Sequence, residues 1–163
     1  MSATARQQTL FAELGRLLGF DDLTLAEDGT ATLGFDDLVV HFGVPDDTHL
    51  TLFTALGDAP AAGETPPSLL EAMLEANSFQ SGTAGAVIGL DRNQSIFTLS
   101  HRIPLEGLTP DHLFTCLEVF VDLGESWASR LAAAPDPTEH AGPGTALDEP
   151  GPFPDPGAGF IRI

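Results

Sequence analysis

Residues 30–54 read TATLGFDDLVVHFGVPDDTHLTLFT, and the period of their apolar side chains decides the fold class. Ala31, Leu33 and Phe35 alternate with Thr30, Thr32 and Gly34. Leu38, Val40, Phe42 and Val44 alternate with Val39, His41 and Gly43, and Leu50 and Leu52 with Thr51 and Phe53. Successive side chains of a strand point to opposite faces, so a period of two puts one set on a core and the other toward water. Turn signals precede each run: Asp28-Gly29, Asp36-Asp37 and Pro45-Asp46-Asp47. Their short polar side chains, or the fixed φ of proline, favour chain reversal. Connections this short join antiparallel neighbours, so the stretch predicts a three-stranded meander.

Helical periods flank it. Leu10, Phe11, Leu14, Leu17 and Leu18 form one stripe at the 3.6 period, with Ser2 or Thr4 as candidate N-cap and Gly19 where a C-terminal stop belongs. After a Pro/Gly/Ala loop at 57–67, Thr65-Pro66-Pro67-Ser68 suits a helix entry, and Leu69, Leu70, Met73 and Leu74 predict a short amphipathic helix ending near Asn77. Ala86, Ile88 and Leu90, the turn Asp91-Arg92-Asn93-Gln94, then Phe97 and Leu99 predict a second hairpin. The longest helix starts at a Thr109 cap with Pro110 in its first position. Leu113, Leu117, Phe120, Val121, Trp127, Ala128 and Leu131 follow the helical period, while Phe114, Cys116, Val119 and Leu123 make its flanks apolar too. A helix apolar on several sides is expected to be covered on several sides.

The element order is therefore α-β-β-β-α-β-β-α: an α+β domain over residues 1–134, with helices and an antiparallel sheet in separate layers. From Pro135 the composition changes, and seven of the chain's 13 prolines fall in 135–163. That is the composition of a disordered tail, expected to be dispensable for folding, with Phe160-Ile161-Arg162-Ile163 as an apolar end.

Charge narrows the function. The chain carries 24 acidic residues against six arginines and no lysine, a net charge of −18. Such a surface repels nucleic-acid backbones and anionic membranes, so neither is an expected partner. It keeps like-charged copies apart, and it can keep soluble a protein that exposes apolar surface. No run is long and apolar enough for a transmembrane helix, and Met1 to Gln8 lacks the apolar core of a secretory signal. A single cysteine, Cys116, cannot form an internal disulfide, which fits the cytoplasm.

Residue types that carry catalysis do not converge on a pattern. None of His41, His49, His101, His112 and His140 belongs to an HxxxH motif. His41 and His49 could approach across a hairpin, but further ligands are not identifiable, so no metal site is expected. Cys116 sits in an apolar run, where a thiol is a core residue rather than a nucleophile. Gly82-Thr83-Ala84-Gly85 lacks the lysine of a phosphate loop. Asp21-Asp22, Asp36-Asp37 and Asp46-Asp47 sit at turns, where carboxylates cap and solvate. The expectation is no catalytic residue, no cofactor and no enzyme.

Leu69-Leu70-Glu71-Ala72-Met73-Leu74-Glu75-Ala76-Asn77, a glycine-containing loop, and Val87-Ile88-Gly89-Leu90-Asp91 resemble the middle of the Tir-chaperone (CesT/SycE-like) family of type III secretion chaperones. Leu99-Ser100-His101-Arg102-Ile103-Pro104-Leu105, the helix with Phe120-Val121-Asp122, and the earlier Asp28-Gly29 hairpin with Phe35-Asp36-Asp37 continue the resemblance over about residues 5–132. It implies a homodimer in the bacterial cytoplasm. That dimer would hold the unfolded N-terminal segment of a secreted effector, without ATP, and keep it soluble and secretion-competent. It also implies a dimer interface around the second helix and the following strand, at Leu69, Leu70, Met73, Leu74, Val87 and Ile88. Met73→Glu is then expected to split the dimer. An extended cargo can add a strand to a sheet edge and seat side chains in pockets. The expected groove for it is the first helix and first hairpin: Phe11, Leu14, Leu18, Phe20, Leu33, Phe35, Val40 and Phe42. The alternative is a regulatory or protein-binding module of the same fold without a secretion cargo.

Overall fold

The computed structural model describes residues 4–134 apart from Asp21, Asp37 and Asp47. Ser2, the segment 135–163 expected as a tail, and its Phe160–Ile163 end lie outside the described residues. Eight elements follow in the expected order: α1 (Ala5–Leu18), β1 (Thr30–Phe35), β2 (Leu38–Gly43), β3 (His49–Asp58), α2 (Pro67–Asn77), β4 (Val87–Asp91), β5 (Ile96–Pro104) and α3 (Pro110–Ala132). A single 3-10 turn, Ser78–Gln80, follows α2.

Helix α1 begins in a capping box. The Thr4 hydroxyl accepts from the Gln7 N–H, and the Gln7 side chain accepts from the Thr4 N–H at 2.7 Å, so two orphan donors are satisfied together. It ends at Gly19, whose φ of 81° is the left-handed value a C-terminal glycine adopts without a Cβ penalty. Helix α3 starts as expected, with the Thr109 hydroxyl accepting from the His112 N–H and Pro110 in the first turn.

The five strands form one antiparallel sheet in the order β1-β2-β3-β5-β4. Alternation decides its two faces. Leu38, Val40, Phe42, Leu50, Leu52, Phe97, Leu99 and Ile103 are buried on the inner face. Thr32, His41, Phe53, Ser100 and Arg102 lie on the outer one, where Thr32 meets the His41 ring at 3.1 Å. Helix α3 packs on β2 and β3, and α1 packs on α3. The core between layers holds Leu10, Phe11, Leu14, Leu113, Leu117, Phe120 and Trp127. Phe11 stands edge-on to Phe42, ring centroids 5.4 Å apart. Each such side chain contributes about 1.5–3 kcal/mol by leaving water.

Strand β3 runs further than its alternation suggested. A bulge between Ala55 and Gly57 interrupts the period of two, and pairing then resumes through Gly57–Phe97 and Asp58–Ile96. The following loop therefore starts at Ala59, two residues later than the sequence implied.

Candidate functional site

A sheet with two edges has two places where another chain can pair, and this one treats them differently. Strand β4 is closed at its middle. The Asn77 amide donates to the Ile88 carbonyl and accepts from the Ile88 N–H, both at 2.9 Å. The end of α2 thus occupies the backbone groups a visiting strand would need. At β1 the Gly29 carbonyl accepts from Val44 N–H at 3.0 Å, toward β2, while the Thr30 carbonyl accepts from Ala26 N–H at 2.7 Å on the other side. Backbone groups alternate in direction along a strand, so Thr32 and Gly34 present N–H and C=O away from β2. Among the described residues no strand lies beyond β1.

The apolar surface beside β1 is smaller than the sequence suggested. Leu33 and Phe35 are half-buried on the inner face, Leu18 is half-buried at the end of α1, and Leu17 and Phe20 are exposed at 47% and 48%. Phe11, Leu14, Val40 and Phe42 have no more than 1% of their surface free, so in this state none can line a cargo groove. They pack within the core, Phe11 against Phe42 with α3 over α1, β2 and β3, and the segment that joins α1 to β1 adds to that core. The Gln8 side chain donates to the Leu25 carbonyl at 2.9 Å and accepts from the Leu25 N–H at 3.1 Å, and this clamp holds the segment along α1. Leu23 and Leu25 then enter the core, and Gly15 supplies the close approach, since a Cβ there would stand 2.7 Å from the Leu23 Cβ. The alternation Leu23-Thr24-Leu25 was the available signal.

A second apolar face lies on α2 and β4. Leu70, Leu74 and Val87 are exposed, Leu74 to 70%, and Leu69 is half-buried. Met73 and Ile88 are each only 6% exposed within one chain and belong to its own core. Met73→Glu would therefore bury a charge in the fold rather than test an interface; Leu74 is the position that tests it. Phe79 after α2, Leu90 on β4 and Val119 on α3 are also exposed, and none of them was expected as a site residue.

The titratable groups are arranged for structure. Asp46 caps its turn by accepting from the Thr48 and His49 N–H groups, each at 2.8 Å, and pairs with Arg102 at 2.9 Å. The Thr48 hydroxyl and backbone, then His49 N–H and Arg102, hold its carboxyl well below the usual carboxylate range. His49 is committed to that turn and His41 to Thr32, so the two histidines do not converge. Burial pushes the Cys116 thiol up, away from the thiolate a nucleophile needs. No group of three or more metal-ligating side chains occurs among the described residues. An open cleft of about 620 Å³ between the starts of α1 and α3 is lined by charges of both signs, Arg6, Glu13 and Glu106 among them. None of the described helices is long and apolar enough to cross a membrane.

The model of the Tir chaperone protein (CesT) family matches residues 9–128, which span α1 through most of α3. No curated protein matches the sequence. Solved structures do match in fold. One is the ExsC–ExsE complex: TM-score 0.62, 22% identity, covering 79% of this chain and 96% of that one. Another is the Yersinia pestis type III secretion chaperone SycH with a stable fragment of YscM2: TM-score 0.62, 21% identity, covering 74% and 98%. A third is the ExoT–SpcS complex from Pseudomonas aeruginosa: TM-score 0.59, 20% identity, covering 76% and 98%.

Proposed function

This chain belongs to the Tir chaperone (CesT) family, and from that premise we propose that it is a type III secretion chaperone which binds the unfolded N-terminal segment of a secreted effector. The observation that carries the reading is the family match over 9–128, which takes in the whole sheet and its helices. Solved neighbours of the same fold include chaperones bound to partner proteins, among them SycH with its YscM2 fragment. A chaperone acting before secretion works in the bacterial cytoplasm, and this one acts by binding alone, with no chemical step and no cofactor.

Its cargo site is the open edge of β1 with the apolar side chains around it. The outward N–H and C=O groups of Thr32 and Gly34 would pair with an extended segment. Leu33, Phe35, Leu18 and Phe20, the accessible part of the expected groove, would take its side chains. The working unit is a homodimer, joined through Leu69, Leu70, Leu74 and Val87 on the α2–β4 face. Cargo capture through apolar burial and strand pairing carries a negative heat-capacity change.

The test starts with purification from the native bacterium, identification of a bound secreted protein, and calorimetry with its N-terminal segment. Binding should show a negative heat-capacity change and slow amide exchange at Thr32 and Gly34. Phe35→Asp should abolish binding while the circular dichroism spectrum stays native. A secreted partner that leaves β1 exchange unchanged, or that binds folded Phe35→Asp as well as wild type, would overturn this cargo site. Absence of any secreted partner would overturn the function.

A further inference from the structure

Phe79 is the most exposed large apolar side chain among the described residues, with its ring wholly in solvent. Its backbone is also unusual, with φ 51° and ψ 20°, and Gln80 follows at φ 56°. Left-handed conformation is costly for a bulky aromatic, and such outliers persist where they serve a purpose. No contact within the chain offsets that cost, because the ring touches solvent only. The strain holds the ring out from the turn between α2 and β4.

The loop that follows Phe79 helps to line a hollow. Ala84, Ala86, His101, Cys116, Val119 and Phe120 line a cavity of about 210 Å³ between the loop before β4, strand β5 and α3. Ala86 and Phe120 are buried at its floor, and Val119 stands exposed at its rim. A two-fold interface is self-complementary: one patch carries both a projection and its socket, and each copy fills the other's. Charge selects the same region. Residues 76–90 contain no charged side chain, the longest such run in a chain of net charge −18. A second copy docking through this run brings no charge from it to the contact, although Glu118 and Asp122 flank Val119 on α3.

We propose that Phe79 of one copy seats in the Ala86–Val119–Phe120 hollow of a second copy, and the reverse, so that this reciprocal contact is the anchor of the homodimer. The proposal rests on the homodimer reading above and adds the residue and the socket on which it turns. Buried aromatic anchors at the centre of an interface dominate its affinity.

The test is the dimer dissociation constant of the full chain by sedimentation, for wild type and Phe79→Gly. Glycine relieves the left-handed backbone, so the variant should unfold at the same temperature or higher when monomeric. Its dimer should nevertheless be weaker by about 100-fold, the loss expected of an interface hot spot. Val119→Glu at the rim should cause a comparable loss, and the double variant little more than either alone, since both remove one contact. A wild-type chain that stays monomeric overturns the homodimer reading and this contact with it. A wild-type dimer unaffected by Phe79→Gly keeps the homodimer and overturns this contact alone. Loss of effector-segment binding with an unchanged dimer assigns Phe79 to cargo and likewise overturns it.

Discussion

Two glycines at helix packing points separate what a residue type costs from what its surroundings demand. A Cβ at Gly15 in α1 would meet the Leu23 Cβ at 2.7 Å and the Phe20 carbonyl at 2.9 Å. A Cβ at Gly124 in α3 would meet a terminal methyl of Leu38 at 2.7 Å. Alanine gains about 1 kcal/mol over glycine in a helix interior. Overpacking against backbone and Cβ atoms, which cannot turn aside, costs about 1–3 kcal/mol. Gly15→Ala should therefore be destabilising in urea melts, whereas Gly124→Ala, which asks only a rotamer change of Leu38, should lie near neutral or above. Equal losses at both sites would contradict the rigid seating of Leu23. Between pH 7 and 5 the acid response is argued at one residue. Burial lowers the His101 pKa from the ordinary 6.5, so the unfolded chain binds that proton more readily than the folded one. Its contribution is complete above about pH 6.5 and is lost as pH falls through that value and the lower folded one. His101→Gln should flatten the unfolding midpoint between pH 7 and 5; an unchanged slope would remove His101 as the source.

At the scale of elements, sequence legibility followed periodicity. Every helix and strand announced itself through a period of 3.6 or 2, and the caps Thr4, Gly19 and Thr109 were legible because a cap is a local pattern. What escaped depends on what lies opposite. Phe11 and Phe35 look alike in sequence, yet one is buried between α1 and the sheet against Phe42 and the other lies at an open edge. Helix α2 carries more leucines than one stripe needs, but which of them face outward is set by how Asn77 ties its end to β4. Phe79 was invisible for the same reason, since its exposure comes from a backbone angle and not from a pattern. Two outcomes follow. Leu74→Glu should leave the monomer folded and shift the mass in light scattering toward one chain; an intact dimer would move the interface off α2. Asn77→Ala strips both partners from the Ile88 backbone, which should cost about 1–3 kcal/mol and speed exchange of that amide. Unchanged exchange would show that the clamp is not what closes the β4 edge.

For the whole molecule the dominant quantity is charge, and it sets how assembly responds to salt. Each copy carries a net charge of −18, so joining two brings like charge together, while the run 76–90 that carries Phe79 is itself uncharged. Apolar contact must therefore act against a long-range repulsion that ions screen, over a distance of about 30 Å at 0.01 M salt and about 8 Å at physiological strength. Raising sodium chloride from about 0.05 to about 0.5 M should then tighten the dimer, and self-repulsion within each chain should ease, raising the unfolding midpoint as well. Effector capture should change only mildly over the same range, because burial along β1 does not depend on ion pairs. The alternative is an interface held by the few arginines against acids of the partner, and it has the opposite sign: screening would weaken it. A dissociation constant that rises with salt in sedimentation runs would thus exclude 76–90 as the centre of the interface, and with it the seating of Phe79. A constant that falls with salt in wild type and Phe79→Gly alike would separate the repulsion, which both share, from the anchor, which only wild type has.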